Sequence, residues 1–122
     1  MMSALDRAYN PDITSIVSGV FTHKIMIHVD AIGNMFYTPT VLRAQAGDFI
    51  FWRSTDGDFS ISFNRSPFVD AFLQSHTSGA TTETDPEEIR AGSSGSYHYD
   101  VAVRRNEDGR IWFKPGSPEI FI

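Results

Sequence analysis

Four histidines, His23, His28, His76 and His98, are the side chains best suited to chemistry in a chain that holds no cysteine. His28 and Asp30 stand two residues apart, as do His98 and Asp100, so each pair shares one face if its segment is a β-strand. Two such strands side by side would gather two imidazoles and two carboxylates, a donor set that suits zinc or cupric ion. The same alternation arises whenever a half-exposed strand turns its polar residues to solvent, and nothing in the spacing makes the two segments neighbours. The expectation is no metal site and no cofactor. Ser93, Ser94 and Ser96 precede His98 and Asp100, but they sit in a Gly-Ser turn, and no Gly-x-Ser-x-Gly elbow is present. Glu83, Asp85, Glu87 and Glu88 lack the spacing of a calcium loop. They read as a helix start, with Asp85 as cap and Pro86 in the first turn. No catalytic residue is expected.

The elements that would carry these residues are strands. From His23 the apolar period is two: Ile25, Ile27 and Val29 face one way, and Lys24, Met26, His28 and Asp30 the other. Phe59, Ile61 and Phe63 alternate with serines, and Tyr97, Tyr99, Val101 and Val103 alternate with His98, Asp100 and Ala102. Turn residues separate the segments at Gly33-Asn34, Ala46-Gly47-Asp48, Thr55–Asp58 and Glu107-Asp108-Gly109. Residues 65–94 show no clean period, and at most one helical turn is predicted after Asp85. Residues 12–22 fit extended structure slightly better than a helix, because β-branched residues and Gly19 disfavour helix there.

Composition bounds the rest. The 122 residues make one domain with an ordinary apolar fraction of 41% and charged fraction of 20%. A formal net charge of -5 offers no basic face to a phosphate backbone, so nucleic acid is not an expected partner. Lack of cysteine excludes disulfides, thiolate metal sites and thiol nucleophiles. No apolar run reaches the ~20 residues of a membrane span. Met1–Asn10 has no basic and then apolar leader pattern, so the cytoplasm is the expected location. The expected organisation is an N-terminal arm or cover segment over residues 1–22 and a β-sandwich over 23–122.

Several segments, taken in order and spacing, point to a family. The run Tyr37-x-Pro39-x-x-Leu42-x-Ala44-x-x-Gly47-Asp48-x-Ile50-x-Trp52, then Phe59–Phe63, Ser66-Pro67-Phe68 and Gly95–Val103, resembles cupredoxin-like bacterial proteins that lack copper ligands. The resemblance covers His23 to the C-terminus. It implies an all-β, Greek-key cupredoxin-like sandwich of roughly seven or eight strands with at most one or two short helical turns. Against the family's copper pattern, Phe59 stands at the first histidine position and Val101 at the cysteine position. A type 1 copper centre needs that thiolate. The resemblance therefore implies a fold without its electron-transfer chemistry.

One anomaly remains. If Ile50 and Trp52 face inward, Phe49 and Phe51 face out, and Met26, Trp112 and Phe121 lie opposite the inward residues of their strands. Several aromatics on an outer face mark an interaction surface unless residues 12–22 cover them. The expectation is a non-enzymatic module that binds protein, foremost itself as a homo-oligomer, through Phe49, Phe51, Trp112 and Phe121. The alternative is a small-ligand or carbohydrate site built on exposed aromatic rings.

Overall fold

The computed structural model describes residues 13–17, 19–79, 81–116 and 118–122. Among them the chain is all-β, with no helix. The first sheet, sheet 1, holds β1 (Ile13–Val17), β2 (Val20–Val29), β3 (Met35–Thr38), β5 (Phe49–Ser54), β8 (His76–Ser78), β9 (Thr81–Glu83) and β10 (Glu87–Glu88). The second, sheet 2, holds β4 (Val41–Arg43), β6 (Gly57–Phe63), β7 (Phe72–Gln74), β11 (Ser96–Arg105), β12 (Ile111–Lys114) and β13 (Glu119–Phe121). Both are mixed: β2 runs parallel to β5 and β13 parallel to β4, and the other pairings are antiparallel.

The two inner faces close on one core, the arrangement of a β-sandwich. Ile25, Ile27, Ile50 and Trp52 come from one sheet, and Ile61, Tyr99, Val101 and Ile120 from the other, all essentially inaccessible to solvent. The Trp52 ring lies edge-on to Tyr99 at 5.5 Å and to Phe68 at 6.0 Å, joining the layers through aromatic contacts. Phe59 and Val101 are both in this core, so the copper-ligand positions of the resemblance are filled with apolar side chains.

The described residues form thirteen strands rather than seven or eight, because the stretch 65–94 supplies the four short strands β7 to β10 and residues 13–17 add β1. The helical turn expected after Asp85 is also absent. Glu87 and Glu88 are extended and pair with Ile50 and Phe49. The reason is local: Ile89 is fully buried, and its amide bonds the Asp48 carbonyl at 2.8 Å. An extended path delivers that side chain to the core and uses the open edge of β5, whereas one isolated turn leaves its first N–H groups unsatisfied. Strand β2 runs through the expected boundary at residue 22, with Phe21 fully buried. β1 lies beside the N-terminal half of β2 and extends the sheet sideways. The rest of the expected N-terminal arm lies outside the described residues. No helix among them is long and apolar enough to cross a membrane.

Candidate interaction surface

Burial of Tyr97, Tyr99, Val101 and Val103 turns Ser96, His98, Asp100, Ala102 and Arg104 of β11 to the outer face of sheet 2. Directly opposed residues of paired strands share a face. On one side, β6 therefore places Asp58, Ser60 and Ser62 beside Arg104, Ala102 and Asp100, and β7 adds Gln74 and Phe72 beyond them. On the other side, β12 sets Phe113 beside Ala102 and Ile111 beside Arg104. Lower on that side, β13 sets Phe121 beside Ser96 and Glu119 beside His98. The relief is low over Ser60, Ser62 and Ala102 and high at both flanks. A groove of about 190 Å³ lies there, lined by Asp58, Ser60, Gln74, Ala102, Arg104 and Ile111. Ile111 is 71% exposed, Phe113 63% and Phe72 58%.

The exposed strand β12 is held firmly from behind. Arg105, buried in spite of its charge, donates to the Asp30 carbonyl at 3.0 Å and pairs with Asp108. The hydrogen bond from Arg105, with a second from the Arg110 amide, holds the Asp108 carboxyl down at about 2. These contacts tie the β11–β12 hairpin to the turn between β2 and β3. Trp112 lies on that turn and packs against the core, so close that a Cβ on Gly33 would fall 2.3 Å from its ring. The outward parity expected of Trp112 is thus reversed: Trp112 turns in, and its neighbours Ile111 and Phe113 turn out. Three consecutive apolar residues left the sequence without an alternation to read, and the deciding contact, Gly33, is remote in the chain.

The other three expected interface residues divide between two faces. Phe121 is 42% exposed on sheet 2. Phe49 and Phe51 have the outward parity expected of them, but they are half-buried on sheet 1, where the Arg53 guanidinium lies 5.5 Å from the Phe51 ring centre. His28 sits on β2 of sheet 1 with Asp30 just beyond the end of that strand, and His98 and Asp100 sit on β11 of sheet 2, so the two pairs do not converge. Among the described residues no group of three or more histidines and carboxylates could hold a metal ion.

Two further histidine–carboxylate pairs escaped sequence reasoning. His23 Nε2 lies 2.9 Å from Asp48 Oδ2, and both residues are buried. Asp48 also accepts from the amides of Phe21 and Gln45. That pair fixes the start of β2 against the start of β5 and is closed to a substrate. His76 Nε2 meets Asp85 Oδ1 at 2.8 Å in the open. With Phe51, Glu83, Thr84 and Pro86 they line a cleft of about 190 Å³ on sheet 1, and Arg53 holds Glu83 at 2.9 Å. Neither pair has a sequence signal, because each joins segments that only the folded sheet brings together.

Comparison of the chain with protein-family models, with curated proteins and with solved structures gives no match.

Proposed function

We propose that this protein is a non-enzymatic binding and self-assembly module with a copper-less, Greek-key cupredoxin-like frame, and that it works through the outer face of sheet 2. One observation carries the reading. Ile111 and Phe113 are mostly exposed on a strand whose backbone is pinned by Arg105 and Trp112, so the exposure is a built feature of the surface. Exposed aromatic and aliphatic residues around a low, small-residue floor fit the apolar centre of a protein interface, with Asp58 and Arg104 at its polar margin. The frame is supported by the parallel pairings of β2 with β5 and β13 with β4, and by Phe59 and Val101 in the core.

Sedimentation equilibrium tests the reading. The full chain associates with increasing concentration, and the double change Ile111→Ser with Phe113→Ser weakens association roughly thirtyfold or more, about 2 kcal/mol. Phe49→Ser with Phe51→Ser leaves it nearly unchanged. A chain that stays monomeric at every concentration, or one that only the Phe49/Phe51 change makes monomeric, rejects this face.

The cleft of Phe51, His76 and Asp85 favours a second reading, a site for a small polar ligand such as a saccharide. An aromatic ring beside a hydrogen-bonding His–Asp pair suits that chemistry. Chemical-shift changes at Phe51 and His76 on adding oligosaccharides, with none on adding excess protein, would promote it.

A further inference from the structure

We infer that the partner on this face is a second copy, related by a two-fold axis that runs along the boundary between β11 and its neighbours β12 and β13. The inference rests on the self-association proposed above and adds the orientation. Read along its outer face, β11 presents Ser96, His98, Asp100, Ala102 and Arg104. The adjoining line presents Phe121 opposite Ser96, Glu119 opposite His98, Phe113 opposite Ala102 and Ile111 opposite Arg104. Each aromatic ring of one line therefore stands beside the smallest side chains of the other. A two-fold along the boundary lays each line of one copy over the other line of the second copy, without changing the level along the strands. Phe113 of one copy then rests on Ala102 of the other, and Phe121 rests on Ser96, each contact occurring twice. Between them Glu119 meets His98, and beyond Phe113 the Ile111 side chain meets the aliphatic stem of Arg104. An axis between β6 and β11 would instead set the flanking residues Phe113 and Gln74 on one another and leave the floor of Ser60 and Ala102 empty. An axis on β11 itself would oppose Arg104 to its own copy.

Size sets the strength of the dimer. Three inter-strand steps of ~4.8 Å and eight residues of ~3.3 Å give a face of roughly 14 by 26 Å, about 360 Å² per copy. Two such faces come to roughly 700 Å², below the ~1,000 Å² of stable interfaces, so weak, transient association is expected.

The test exchanges knob and hollow. Ala102→Phe fills the hollow and should weaken association at least about tenfold, and Phe113→Ala removes the knob and should weaken it by roughly thirtyfold. Mixed in equal amounts, the two monomeric variants should form a heterodimer within about threefold of the parent affinity. Each pairing in that heterodimer again sets one ring on one alanine. The double variant carrying both changes should likewise dimerise with itself. Ser96→Phe with Phe121→Ala repeats the experiment at the second contact, should either first variant unfold in a thermal melt. If the parent dimerises, Ile111→Ser with Phe113→Ser breaks the dimer, and neither mixture recovers it, the orientation is overturned and the self-association reading stands. A monomeric parent overturns both.

Discussion

Tyr99 carries a hydroxyl into the centre of the core, where the Trp52 indole N–H lies near it but neither group makes a hydrogen bond of good geometry. The ring is fully buried against Trp52 and Phe63, so the residue contributes area and aromatic contact while its oxygen loses hydration. Burial raises the Tyr99 phenol well above its ordinary value, and burial with nearby Asp100 pushes Tyr37 up to about 12. The sign of the consequence is fixed. The folded state keeps these phenols neutral while the unfolded chain ionises near pH 10, so stability is complete below pH 10 and falls as pH rises beyond it. Tyr99→Phe removes the unsatisfied oxygen and keeps the ring. At pH 7 it should be neutral or stabilising by up to about 1 kcal/mol. Between pH 10 and 11 its urea midpoint should fall less steeply than that of the parent. A loss of about 2 kcal/mol at pH 7 would mean that the hydroxyl is bonded in the fold.

At the scale of elements, the orientation of β12 decides which residues the molecule shows, and it depends on Gly33. Gly33 has φ of +88°, a conformation that costs other L-residues about 1–2 kcal/mol, and its missing Cβ leaves room for the Trp112 ring. Gly33→Ala should therefore destabilise by about 2 kcal/mol or more in urea unfolding and shift Trp112 fluorescence. A neutral result would show that Trp112 is not seated there, and the outward placement of Ile111 and Phe113 would fall with it. The contrast with other strands shows what the chain makes legible. In β2, β6 and β11 buried and more exposed positions alternate over seven to ten residues, and the buried faces are the ones that period two predicts. β7 to β10 have two or three residues each, too few for any period, and they exist because partner strands offer open edges. Asp85-Pro86-Glu87-Glu88 carries a local helix signal that the burial of Ile89 overrides. The candidate surface was legible in its class, apolar residues on an outer face, and in Phe121. Its centre was not, because Ile111, Trp112 and Phe113 gain their directions from a contact made across the sandwich.

For the whole molecule, association must overcome charge. Each copy carries a formal net charge of -5, so two copies repel when brought together. The proposed face is nearly balanced, since Asp58, Asp100 and Glu119 share it with Arg43 and Arg104. The excess negative charge therefore lies elsewhere and acts over longer distances. Salt shortens that reach from ~30 Å at 0.01 M to ~10 Å at 0.1 M, while contacts between Phe113 and Ala102 do not depend on it. Raising sodium chloride from about 10 to 150 mM should consequently tighten the dimer several-fold, with the far-ultraviolet circular dichroism unchanged. Ion pairs give the opposite sign: if Glu119 with His98 supplied most of the attraction, the same salt would loosen it. Sedimentation equilibrium across the salt series thus separates the two sources of affinity. A steep loss of association with salt would move the functional weight from the aromatic knobs to the charged residues between them, and Glu119→Gln would then become the more damaging substitution than Phe113→Ala.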